Sequence, residues 1–315
     1  MNLIEHSRAR LMTRISIAGP LVFETAFHLG GGRLDFSTTD SPVVRDGDGL
    51  PIIPGSSIKG AVRATIERMA PNLDLSACGI FDKSVRCLTP REKDESPCKE
   101  YHELLEALNR DIDENLSTKI NRVLRGSGKT VNDAPDSVIT EDVLLFLLDH
   151  ALCDVCKAFG APFLGSAIYF HDATIDPERW LGLTQIRDGV GIDRDSGRAV
   201  DGLLYDYEIV PPQTTFNFSM TIESNHPTVL GLAALGLHEL LHGNIPLGGI
   251  KSRGLGRCKL SKKAKAKTVA LNNRESLLAY LRDGAVQEQD IEVFIKENLK
   301  HILPKEDEHV QASAQ

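Results

Sequence analysis

The sequence predicts an α+β fold with a ferredoxin-like βαββαβ core, interrupted by a charged helical insertion that carries a zinc site and extended by a projecting hairpin. Three observations predict it. Residues 11–27 alternate as a strand does, with Leu11, Thr13, Ile15 and Ile17 on one side. Residues 58–69 change to helical spacing, with Ile58, Val62, Ile66 and Met69 on one face. The pair of patterns then returns: Phe216 to Ile222 alternates again, and His226-Pro227 opens a helix whose Leu230, Ala233, Ala234, Leu237 and Leu241 pack on the sheet. Strands and helices in this order build an antiparallel sheet backed by helices.

The 315 residues can bury one large core or two modest ones, and 41% hydrophobic with 25% charged residues is ordinary for a globular protein. There is no long apolar run, and the start, MNLIEHSRARLMTRI, carries charges throughout, so neither a membrane span nor a secretory leader is expected and the location is cytoplasmic. A net charge of -8 excludes a chain that coats itself in nucleic acid by charge alone. It leaves room for a local basic groove, because the acidic residues concentrate around 91–114 and in the tail.

After the first strand, Gly30-Gly31-Gly32 allows close backbone approach by another chain or a phosphate. A loop with Asp35 and Asp40 leads into a short strand at Pro42-Val43-Val44, a turn at Asp46-Gly47-Asp48-Gly49, and a return through Leu50 to Ile53. Pro54 to Gly60 hands over to the first helix, with Ser56 or Ser57 as its N-cap. Lys59 and Arg63, one turn apart, add cations to a helix start that offers hydroxyls and unpaired N–H groups, a combination suited to phosphate.

Residues 78–150 form the insertion, with helices expected near 101–124 and 141–151. Its Gly126-Ser127-Gly128-Lys129-Thr130 lacks the spacing and the strand–helix context of a P-loop. Six cysteines in a chain of this location point to metal before disulfides. Cys153 and Cys156, on one tight turn, can both face a zinc ion, with Cys78 and Cys87 as partners and Cys98 or His102 as alternates. The bland reading is a set of reduced thiols without metal. Cys258 sits in a strand as a small core hydrophobe.

Residues 184–210 read as a hairpin with a polar tip from Ile192 to Ala199, presenting Arg187, Arg194 and Arg198. His238-Glu239-Leu240-Leu241-His242 satisfies the zincin pattern formally, yet Gly243-Asn244 ends the helix at once. Residues 245–257, IPLGGIKSRGLGR, are a second glycine-rich cationic loop, with Gly248, Gly249, Lys251, Ser252, Arg253, Gly254, Gly256 and Arg257. The core therefore spans 1–77 and 151–262, and 263–315 is a polar, partly helical C-terminal tail.

Three segments carry a family resemblance: His28 to Gly32, Asp40-Ser41-Pro42-Val43-Val44-Arg45-Asp46 with Ile53 to Gly60, and Gly248 to Gly256. Together they resemble the RAMP superfamily, the repeat-associated proteins of CRISPR systems, and most closely the target-RNA-cleaving backbone subunits of type III effector complexes. The resemblance covers roughly residues 15–260 without the insertion. It implies an RRM-like core and a thumb at 184–210. It also implies partners: a guide CRISPR RNA, a complementary target RNA, and other effector subunits, including neighbouring backbone subunits. Guide contacts are expected from Gly31, Gly32, Ser56, Ser57, Lys59, Arg63, Arg187, Arg194, Gly249, Lys251, Ser252 and Arg253. Cleavage supported by Mg²⁺ or Mn²⁺ is expected at Asp40, with Asp35 as the alternative carboxylate. A non-catalytic subunit of the same complex and a zinc hydrolase built on His238, Glu239 and His242 are the other readings.

Overall fold

The computed structural model describes residues 11–31, 39–78, 152–161, 164–178, 180 and 182–303. The expected insertion helices, the Gly126 to Thr130 run, Gly32, Asp35, Cys87, Cys98 and His102 lie outside them. No helix among the described residues is long and apolar enough to cross a membrane.

β1 (Thr13–Phe23) runs unbroken through Gly19-Pro20, where the sequence suggested two extended pieces. The reason is a close approach: a Cβ on Gly19 would lie 2.4 Å from the Ala264 Cβ. Pro20, which has no N–H to give, accepts at its carbonyl from Ser261. β2 (Ile52–Ile53) leads through Pro54 into α1 (Gly55–Met69). No side chain caps α1. Its first amide, on Gly55, donates at 2.7 Å to Asp172 Oδ1, so Ser56 and Ser57 lie inside the first turn instead of capping it. A short α2 (Asp154–Phe159) follows, then β3 (Ile168–Phe170) and β4 (Ala173–Ile175). β5 (Gln185–Ile192) and β6 (Ala199–Ile209) form the expected hairpin as a separate two-stranded sheet. β7 (Thr215–Ile222) and α3 (Pro227–His242) complete the second pattern.

The main sheet has the order β10 (Gln287–Asp290), β9 (Lys265–Ala270), β1, β7, β4, β2, with β3 also paired to β7 and β8 (Cys258–Leu260) to β1. Every pairing in it is antiparallel. Alternate residues of β1 and β7, among them Ile15, Ile17, Leu21, Phe216, Phe218 and Ile222, are buried on the face that α1 and α3 cover. Burying each such side chain contributes roughly 1.5–3 kcal/mol. The two helices meet where Gly236 leaves room: a Cβ there would lie 2.6 Å from Val62 Cγ1.

The C-terminal segment is helical as expected, in α4 (Arg274–Asp283) and α5 (Ile291–Leu299), but it is also part of the sheet. β9 (Lys265–Ala270) pairs with β1, and β10 (Gln287–Asp290) pairs with β9. α5 buries Ile291, Phe294 and Ile295 in the common core.

Candidate nucleic-acid interface and cysteine cluster

The two glycine-rich loops, more than two hundred residues apart in sequence, meet at His28. The Gly249 amide donates to the His28 carbonyl at 2.7 Å, and Gly256 donates to Ala26 at 2.9 Å. On the other flank, Gly31 donates to Pro42 and Val44 donates to Leu29, each at 2.9 Å. Residues 26–31 are thus clasped between the second loop and the segment that follows Asp40, which makes isolated bridges at Val43 and Arg45 in place of the expected short strand. Glycine is required at two of these positions. Gly248 (φ 89°) and Gly256 (φ 84°) are left-handed, and a Cβ would lie 2.3 Å from the His28 carbonyl oxygen at the first and 2.0 Å from that of Leu247 at the second.

The His28 ring is buried and locked. Its Nδ1 lies 2.7 Å from the Glu208 carbonyl, which can only accept, so Nδ1 carries the proton. Nε2 then faces the Ser41 hydroxyl at 3.3 Å. Tyr207 meets the ring edge-on at 5.7 Å and stacks on Tyr205 at 6.2 Å. The Tyr205 hydroxyl accepts from Arg253. Gly189, paired opposite Tyr205, makes room for that ring. Lys251, Ser252 and Arg253 form one exposed 3-10 turn at the end of this chain of rings.

Asp40 is exposed beside the hairpin base. Its amide donates to Asp206 Oδ1 at 2.6 Å, and the Asp206 amide returns a bond to Asp40 Oδ2 at 3.2 Å. Two residues on, the buried Glu208 accepts from Val43 N at 2.9 Å, from the Thr184 hydroxyl and from Arg45. Burial alone would raise the Glu208 pKa, but the bonds from Thr184, Val43 and Arg45 outweigh it and hold the carboxyl below its ordinary range.

Asp206 and Glu208 went unnoticed in the sequence. The available signal was their i, i+2 spacing on a strand, which puts both on one face of β6. Arg187 and Arg194 are exposed on the hairpin, which also exposes Ile186, Ile192, Leu203 and Leu204. Ser56 and Ser57 are in the first turn of α1 and Lys59 begins the second, joined to this region through β2, whose Ile52 donates to Val44.

Arg63 does not join them. It donates to Glu67 Oε1 (2.7 Å), the Gly160 carbonyl (3.1 Å) and Cys156 Sγ (3.4 Å). Cys156 belongs to a second site, where the sulfurs of Cys78, Cys153 and Cys156 all lie within 4.8 Å of one another. Cys78 and Cys156 are 3.5 Å apart, and the Cys156 amide donates to Cys153 Sγ at 3.3 Å. Tetrahedral thiolates bonded to zinc at about 2.3 Å stand roughly 3.8 Å from each other, so three ligands of the expected set fit. Ser76 and Asp154 strap residues 76–78 to the start of α2 through three hydrogen bonds of 2.7–2.9 Å. This is the one group of three or more metal-ligating side chains among the described residues. The His238, Glu239 and His242 trio does not qualify. The two rings are tilted against each other at 4.1 Å, and Glu239 is engaged by His238 Nδ1 and Asn244.

A model of the RAMP superfamily matches residues 21–259, which take in both glycine loops, Asp40 and the hairpin. The chain belongs to the RAMP superfamily. Two curated proteins are similar to this RAMP chain over a short stretch. The CRISPR system Cms endoribonuclease Csm3 of Methanocaldococcus jannaschii is 43% identical over 60 residues, covering 18% of this chain and 24% of that protein. The protein of the same name from Enterococcus italicus is 44% identical over 61 residues, covering 18% and 28%. The chain thus matches about a quarter of the length of these relatives.

Proposed function

We propose that this RAMP protein is a backbone subunit of a type III CRISPR ribonucleoprotein that binds the guide RNA and cleaves the paired target RNA at Asp40. The observation that carries the proposal is the union of the two glycine loops at His28, with Asp40 exposed beside them and anchored to the hairpin base. The strand order supports a ferredoxin-like, RRM-like core: β8 and β9, β1, β7, then β3 and β4 stand in the 4-1-3-2 arrangement of a βαββαβ unit. That both relatives are endoribonucleases by name supports RNA cleavage.

In this reading the Lys251-Ser252-Arg253 turn and the glycine backbone hold guide phosphates without reading bases, and Ser56, Ser57 and Lys59 extend the track. The apolar side chains of the hairpin pack against bases or against the next subunit. Asp40, tied to Asp206 at the exposed hairpin junction, would present its carboxylate to that track. Mg²⁺ or Mn²⁺, when bound there, would offset charge on the scissile phosphate. The clasp around His28 keeps the guide and the carboxylate in fixed relation, which is the positioning that in-line attack by a ribose hydroxyl needs. Cys78, Cys153 and Cys156 would hold a structural Zn²⁺, and the sequence offers Cys87 and Cys98 for the fourth position.

The test is a complex reconstituted with guide RNA and its partner subunits. Asp40→Ala is expected to abolish target cleavage while assembly and guide content stay as in the wild type. A variant complex that cuts normally removes Asp40 from the chemistry. A wild-type complex that assembles and cuts nothing leaves the non-catalytic subunit as the function.

A further inference from the structure

Arg63 is spent inside the protein, and its three acceptors come from three places: its own helix (Glu67), the C-terminal end of α2 (Gly160), and the cysteine cluster (Cys156). Glu67, one turn along α1, accepts from the Nε–H and so fixes the plane of the guanidinium. In that plane Nη1 reaches the Gly160 carbonyl and Nη2 reaches the Cys156 sulfur. The fork is half-buried, with 29% of its side chain exposed. Lysine could supply the charge at this position but not two N–H groups held at a fixed angle.

Three thiolates around a divalent cation leave a net charge of about -1, and a fourth thiolate leaves about -2. A site of that sign, next to buried Val155 and Phe159, is stabilised by a fixed cation that also donates to sulfur. We propose that Arg63 is a positioning residue of the thiolate metal centre, its guanidinium serving as the resident counter-cation and tying α1 to α2 across Cys156. This rests on the zinc reading of Cys78, Cys153 and Cys156. It gives the centre a direct mechanical link to the helix whose N-terminal part carries Ser56, Ser57 and Lys59.

The experiment is zinc affinity of the purified full-length chain, measured by competition with a chromophoric chelator, together with the thiolate-to-metal charge-transfer band of the Co²⁺-loaded form. The wild type is expected to bind zinc, and Arg63→Met to bind it about 10- to 100-fold more weakly with a shifted Co²⁺ band, the size of effect typical for partners of metal ligands. Arg63→Lys is expected to fall between the two. Arg68→Met, which removes an exposed cation from the same helix, is expected to match the wild type. Folded Arg63→Met and Arg63→Lys proteins that bind zinc as the wild type does would overturn the proposal. So would wild-type affinity in Arg63→Lys if Arg63→Met does not fold. A wild type that binds no zinc removes the metal centre itself, an outcome distinct from a metal centre indifferent to Arg63.

Discussion

Asp40 and Asp206 hold each other: the amide of each donates to the carboxylate of the other, at 2.6 and 3.2 Å, across the junction between the Asp40 loop and the hairpin. Asp206 thus fixes the backbone on which the proposed cleaving carboxylate stands. Asp206→Ala is expected to reduce target cleavage about 10- to 100-fold in the reconstituted complex, the cost of misplacing a reacting group by about an ångström. Asp206→Asn retains an acceptor for the Asp40 amide and is expected to keep most of the activity. A gel of labelled target fragments against time measures both.

Glu208 is the second tie between hairpin and loop, and it makes the tie sensitive to acid. Its folded pKa lies below the ordinary 4.5, so its contribution to stability is complete above about pH 4.5 and is lost as the pH falls through the folded value. Glu208→Ala would strand the Val43 amide and the Thr184 hydroxyl, at a cost of about 2–3 kcal/mol. Glu208→Gln is expected to flatten the acid limb of a plot of denaturation midpoint against pH.

The clasp at His28 has no room for a side chain at Gly248 or Gly256 of the second loop. Gly256→Ala would drive a methyl group onto the Leu247 carbonyl in a left-handed backbone. It is expected to destabilise the protein by about 2 kcal/mol or more. Gly254 is also left-handed but opens onto empty space, so Gly254→Ala is expected to cost about 1 kcal/mol. Paired thermal melts of the two variants measure the difference.

Burial pushes the Cys258 thiol up to about 12, so it stays protonated and unreactive at neutral pH. Native protein treated with iodoacetamide at pH 8 is expected to leave Cys258 unmodified by peptide mass analysis, and unfolded protein to label it fully. Labelling of Cys258 in the native state would show that β8 opens from β1.

The parts of the fold with a strong repeating pattern were legible. The faces of α1 and α3, the alternation of β1 and β7, and the hairpin flanking Asp193 to Gly197 all follow from apolar spacing and turn residues. Strands β9 and β10 were not legible. β9 buries only Ala266, between two exposed lysines, and Val269, and β10 reads Gln-Glu-Gln-Asp, so neither presents an apolar stripe; β9 depends on β1 for its place and β10 on β9.

The site divides in the same way. Glycines that must be left-handed announced the loops, and Asp40 stood in a motif. The direction of Arg63 was hidden, because a cation one turn beyond Lys59 looks alike whether it faces a phosphate or a thiolate. Only packing of α1 against α2 decides it.

The sheet ends at β10, and the composition of that strand limits what can be added to it. Lys265 is 2.6 Å from Asp290, Lys267 is 3.5 Å from Glu288, and Lys262 is 2.7 Å from Glu292, so the acids neutralise their own lysines inward while remaining exposed outward. A second molecule approaching border to border with its own β10 would bring Glu288 and Asp290 against like charges. Open-ended strand-by-strand polymerisation is thereby discouraged at the margin where an unpaired backbone would otherwise invite it.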